Sequence, residues 1–209
     1  EFDHLASRIA HHLYPKWGVT QADYTRVPAV KDVYDLVIGN PPFSETVINA
    51  DPEYAGKGFM LHDYFFAKSL DAVRPGGLLM FITSAGTMNK ISTKARDYLA
   101  DRADLVGAIR LPGNAFEENA GTSVTTDIVM LRKRLPGEAI GDRAWTETVE
   151  RTLPTRDGTM TTGNVSRYFF VNLELVFGEE GMFDKLVAGF CYAVRVFKWY
   201  DLCKGLFDV

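Results

Sequence analysis

The stretch from Asp35 to Phe43, DLVIGNPPF, restricts the possible folds of this chain more than any other. Tyr34 to Ile38 is a short apolar, β-branched run, the pattern of a strand buried on both faces of a parallel sheet. Gly39 ends it. Asn40-Pro41-Pro42-Phe43 continues neither a strand nor a helix, because two consecutive prolines remove two backbone donors and hold each preceding residue extended. A rigid loop therefore follows the C-terminal end of the strand, which is the edge where parallel α/β sheets bind ligands. The loop presents one amide, two fixed carbonyls and one aromatic ring there.

Such a loop suits an attack by an exocyclic amine. The lone pair of that amine is delocalised into its ring, and acceptors placed against its two N–H groups favour the geometry in which it reacts. Asn40 Oδ1 and the Pro41 carbonyl are candidate acceptors, and Phe43 is placed to stack on a flipped-out base. Taken alone, Asn-Pro-Pro is also simply a stiff turn. The composition is consistent with one principal globular domain: 209 residues, 46% hydrophobic and 24% charged. A net charge of −4 excludes the broad basic footprint that drives non-specific binding to phosphates. Two cysteines, Cys191 and Cys203, far from any histidine cluster, read as reduced thiols in a cytoplasmic protein. The four histidines show no metal-ligand spacing and read as surface or packing residues. No apolar run reaches the ~18 residues of a membrane span.

DLVIGNPPF resembles the catalytic motif of S-adenosylmethionine-dependent methyltransferases that act on amino groups. The Asn-Pro-Pro-Phe form is that of adenine-specific (N6) DNA methyltransferases. The likeness continues through LHDYFFAKSLDAVRPGGLLMFITSAGTMNK, ADLVGAIRLPGNAF and AGTSVTTDIVMLRKR, which are similar to the methylase domain of large phage and mobile-element proteins that also carry helicase-like domains. It covers Glu1 to about Arg134 and, more weakly, the RYF and LELVFG runs near Arg167 to Gly178. The resemblance implies an α/β fold with a Rossmann-like methyltransferase sheet, S-adenosylmethionine as cofactor, and DNA and further helicase-like or target-recognition domains as partners. Asn40, Pro41, Pro42 and Phe43 become the implied catalytic set, and Glu1, Phe2, Asp23 and Asn40 the implied cofactor set. Glu1 would meet the ribose, Phe2 the adenine ring and Asp23 the adenine amino group. The glycine-rich turn of this family matches nothing in the 209 residues, so the sheet is expected to lack its first strand and that loop, and the fragment to be inactive alone. Methylation of RNA or of protein glutamine, or a non-catalytic module that binds DNA or partner domains, remain alternatives.

In chain order, Leu5, Ile9, His12 and Leu13 mark a helix ended by Tyr14-Pro15, with Glu1 and Asp3 at its start. A short strand is expected over Val19 to Tyr24 and a long loop over Ser44 to Phe59. A helix over Leu61 to Val73 is stopped by Arg74-Pro75-Gly76-Gly77, and a parallel crossover leads into a strand over Leu78 to Thr83. Ser84 to Lys90 is a loop at the active edge. Ser92 is expected to cap a helix over Thr93 to Asp101. A strand over Leu105 to Leu111, a loop to Ala120 containing Phe116 and Asn119, and an antiparallel strand over Thr125 to Leu131 complete the sheet. Arg132, Lys133 and Arg134 read as a solvated strand end. Residues 1–134 form the expected catalytic domain, 135–166 a linker or irregular extension, and 167–209 an apolar extension with one amphipathic helix over Phe183 to Leu206.

Overall fold

In the computed structural model, residues 1–116, 124–155, 157–186 and 189–195 are described. Helix α1 spans His4–Leu13. Asp3 caps it, its Oδ1 accepting from Ala6 N at 2.7 Å, which satisfies one of the donors left open in a first helical turn. After Pro15 the chain crosses to Tyr24 without forming the expected strand. What remains of a ladder is one rung: the Glu1 amino group donates to Thr20 O at 3.0 Å, and Glu1 O accepts from Ala22 N at 2.8 Å. One residue straddling two in this way is the parallel pattern, and a single rung is too short for a strand.

Strand β1, Tyr34–Gly39, lies beside β2, Val73–Ser84, and the two run parallel. Helix α2, Leu61–Ala72, is the crossover between them. Then come a helical turn α3, Gly86–Asn89, helix α4, Lys94–Ala100, and strands β3, Ala103–Leu111, and β4, Thr126–Lys133. The sheet order is β1-β2-β4-β3, with β4 antiparallel to both of its neighbours. Thr93 rather than Ser92 is the N-cap of α4, because the first helical bond runs from Asp97 N to Thr93 O at 2.8 Å.

The register puts Leu79 opposite Leu131, and Phe81 opposite Val129, which in turn faces Ala108. Phe66 and Leu70 of α2, Leu99 of α4, Trp145 and Phe169 join these side chains in the main core. Strand β1 departs from expectation: Tyr34, Leu36 and Ile38 are 49%, 50% and 68% exposed. It occupies an end of the sheet, where Val37 packs on the core and no described element covers Leu36 or Ile38.

Beyond Arg134 the chain is more regular than its composition suggested. Strands β5, Thr148–Pro154, and β6, Met160–Ser166, form a hairpin where a linker or irregular extension was expected. Its threonines and valines suit a two-stranded ladder even without a strong apolar period. Helix α5, Arg167–Val171, buries Phe169 in the main core. The expected C-terminal helix is instead a second hairpin of β7, Glu179–Leu186, and β8, Gly189–Arg195. Gly189 weakens a helix within that span, and the run FCYAV favours a strand. Asn119, and residues 187, 188 and 196–206 of that expected helix with Cys203 among them, lie outside the described residues. No helix among the described residues is long and apolar enough to cross a membrane.

Candidate active site

Asn40 leaves the C-terminal end of β1 at the edge that also carries the 85–90 loop after β2, the start of β4 and the end of β3. A Cβ at Gly39 would lie 3.3 Å from Phe81 Cε1, so any larger residue there would have to push the Phe81 ring aside by a few tenths of an ångström. Pro41 is buried and anchors the turn, Asn40 and Pro42 are exposed, and the Phe43 ring is 40% exposed. Among the described residues nothing hydrogen-bonds to the Asn40 amide, which leaves its oxygen available to a ligand.

The loop that follows is braced rather than open. Val47 bridges Met60, Ile48 N donates to Phe59 O at 3.0 Å, and Tyr54 Oη donates to Asp71 Oδ2 at 2.6 Å. Asp51, 6% exposed, accepts from Lys68 Nζ and Tyr64 Oη, both at 2.8 Å. Burial pushes its carboxyl up, but those bonds and one from Glu53 N outweigh burial and hold it below the usual carboxylate range.

Beside Ser44 sits a buried cluster that sequence reasoning did not assemble. Lys90 Nζ donates to Asp63 Oδ2 at 2.9 Å and lies 3.4 Å from His62 Nε2. His62 is buried, its Nδ1 without a partner among the described residues. Burial lowers its pKa and Lys90 adds to that, while Asp63, the Ser44 backbone and Glu45 act in the opposite direction. Beneath the same edge Arg96 donates to Thr87 O at 2.9 Å, Lys90 O at 2.6 Å and Thr146 O at 2.7 Å. Arg110 and Asp127, both 0% exposed, form a two-bond pair at 2.7 Å, and Asn89 Oδ1 accepts from Arg110 Nη2 and from Ser166 N. The 85–90 loop is thus held by two arginines. Topology offered a signal for the cluster: in a parallel crossover the N-terminus of α2 and the loop after β2 share the active edge.

The rung holds Glu1 against Thr20 and Ala22, one residue before Asp23 in the chain, and none of Glu1, Phe2 and Asp23 is hydrogen-bonded to Asn40 among the described residues. Asp23 Oδ1 accepts from Thr25 N at 2.9 Å and Thr25 Oγ1 at 2.7 Å, and these bonds keep its carboxyl below the ordinary range. Its Oδ2 is faced by Arg26 at 3.6 Å. Glu1 uses Oε1 to accept from Asp3 N at 2.8 Å, and Phe2 is 76% exposed.

A curated relative, the Defense against restriction protein B of Escherichia phage P1, is 33% identical over 138 residues, covering 64% of this chain and 6% of that protein. The chain therefore spans a small part of the length of the relative it matches. Two solved structures are similar in fold. One is a protein of Listeria monocytogenes assigned to the class I S-adenosylmethionine-dependent methyltransferases, at 18% identity and a TM-score of 0.55, covering 68% of this chain and 46% of that one. The other is the modification subunit of a protein of Vibrio vulnificus assigned as a type I restriction enzyme, at 16% identity and 0.55, covering 83% and 39%. The fold is that of a class I methyltransferase, and S-adenosylmethionine is the cofactor expected of it. Of the residues that could hold its nucleoside end, Glu1 keeps one carboxylate oxygen without a hydrogen-bond partner among the described residues, Phe2 exposes its ring, and Asp23 carries a second carboxylate that accepts from Thr25. Over residues 7–116, more than half of its length, the chain matches the Eco57I restriction-modification methylase family, and it belongs to that family.

Proposed function

We propose that this chain is the catalytic part of a DNA adenine-N6 methyltransferase. The observation that carries the reading is the Asn40–Phe43 loop at the C-terminal end of β1, with an amide that has no hydrogen-bond partner among the described residues, a buried proline after it and a partly exposed ring beyond. S-adenosylmethionine supplies an electrophilic methyl group on a sulfonium. Asn40 Oδ1 and the Pro41 carbonyl accept from the two N–H groups of the adenine amine and turn its lone pair toward that methyl. Pro42 keeps the carbonyl from rotating away, and Phe43 stacks on the base. Glu1, Phe2 and Asp23 hold ribose and adenine, and Asn40 stands at the border of the two subsites. The proton leaves to solvent after transfer, so no covalent enzyme intermediate is required.

Residues 1–134 form the catalytic domain, which works in the cytoplasm within a larger polypeptide whose helicase-like or target-recognition domains supply much of the grip on DNA. A net charge of −4 gives this part little phosphate affinity of its own. Without a glycine-rich turn among its 209 residues, the chain alone binds the cofactor weakly and is inactive. The test is Asn40→Ala in the larger polypeptide, with cofactor binding followed by calorimetry and transfer by tritium incorporation into adenine-containing DNA. Transfer is expected to fall at least about a hundredfold, the scale of removing one group that acts in the transition state, with cofactor affinity nearly unchanged. Undiminished transfer overturns the mechanism.

A further inference from the structure

Lys68, on α2, is 2% exposed, yet it carries a charge into the interior. Its three N–H groups meet acceptors from two separate segments. Tyr24 O at 2.8 Å and Val27 O at 2.7 Å belong to the turn that follows Asp23, and Asp51 Oδ2 at 2.8 Å belongs to the loop that follows Phe43. Tyr64 Oη, 3.0 Å from Lys68 Nζ, donates to the same Asp51 oxygen. The ammonium also lies 4.8 Å from the centre of the Tyr24 ring and 5.6 Å from that of Tyr64. Burying an ion pair is costly, and apolar residues of similar size would hold the same elements together about as well. What an ammonium adds is direction: three donors fix three acceptors in one geometry. Neither segment is otherwise rigid by secondary structure, since residues 19–33 and 40–59 contain no helix or strand.

We propose that Lys68 is a positioning residue that couples the cofactor-side turn at Tyr24–Val27 to the substrate-side loop at Asp51, so that ordering one orders the other. The inference rests on the reading of Asp23 as a cofactor contact and of Asn40–Phe43 as the base-binding motif. Through Lys68 the two half-sites share one buried charge instead of moving independently. Asp51 answers the ammonium, Tyr64 fixes Asp51, and Tyr54 pins the far end of the loop to Asp71.

Amide hydrogen exchange on the 209-residue chain, followed by NMR or mass spectrometry, tests the coupling without cofactor or DNA. The reporters are Arg26 and Val27 on one side, whose amides donate to Asp23 O, and Ile48, Tyr54 and Ala55 on the other. Asp51→Asn, a change confined to the substrate-side loop, is expected to raise exchange about tenfold or more at Arg26 and Val27 as well as in its own loop, as loss of a charged hydrogen bond implies. Tyr64→Phe should do the same to a smaller degree, and it removes only a hydroxyl, so the fold is retained. Leu70→Ala, a cavity in the main core, should raise exchange generally without singling out these amides. If Asp51→Asn and Tyr64→Phe leave Arg26 and Val27 as protected as in the parent chain, the coupling does not exist. Because no methyl transfer is measured, failure here is distinguishable from failure of the proposed reaction.

Discussion

At the scale of single residues, the site combines groups left open to a ligand with groups consumed by the fold. Asn40 and Phe43 are of the first kind, and Arg96, Arg110 and Asp127 of the second. Phe43 is 40% exposed and absent from the main core, so its removal should cost the fold little. Phe43→Ala is expected to weaken binding of DNA with an extrahelical adenine by about 1 to 3 kcal/mol, the range for a lost base stack, and Phe43→Trp by less. Fluorescence of 2-aminopurine at the target position reports both. Equal affinity for all three proteins would make Phe43 a packing residue. Sequence alone singled out these exposed residues because proline chemistry is local. The His62–Asp63–Lys90 cluster escaped because Lys90 is 27 positions from Asp63, and neither position carries a spacing that signals the other.

At the scale of elements, strand register does the most across β2, β4 and β3. Apolar rows give way at the active edge to a polar row in which Thr83 of β2 and Arg110 of β3 each stand opposite Asp127 of β4. Arg110→Met leaves the fully buried Asp127 without its two-bond partner, and the expected loss is about 3 to 5 kcal/mol of stability. Replacing both, Arg110→Met with Asp127→Leu, should recover much of it, because an apolar pair of similar volume removes the unpaired charge. Urea unfolding of the two variants checks this, and a double variant no better than the single one would show that Asn89, not Asp127, is the important partner. The elements inside the resemblance were legible for the same reason: α2, β2, β3 and β4 each bury an apolar face with a clear start and stop. The strand expected over Val19 to Tyr24 and the helix expected over Phe183 to Leu206 failed because pairing partners, not the segments themselves, settle such runs.

At the scale of the whole molecule, pH stability follows from His62. Burial holds its pKa below the ordinary value, so the unfolded chain binds a proton there before the folded one does. Stability therefore rises with pH through this window and declines as pH falls below about 6.5. Asp51 adds a second, lower window: its depressed carboxyl stabilises the fold above about 4, and that contribution is lost as pH falls further. Urea midpoints at pH 7.5 and 5.5 should differ in this direction, and His62→Gln should narrow the gap. An unchanged gap would assign the effect elsewhere. The sequence by itself determined the class of sheet, the strand that leads into Asn40 and the break in regular structure after it, because apolar periodicity and proline geometry act within a few residues. Only the tertiary structure decided that β1 stands at an end of the sheet with Leu36 and Ile38 exposed, that residues 148–166 pair as a hairpin, and that Lys68 and Arg96 tie the site's loops together. Those outcomes depend on contacts between segments far apart in the chain, and such contacts are fixed only when the backbone has brought their partners within hydrogen-bonding reach.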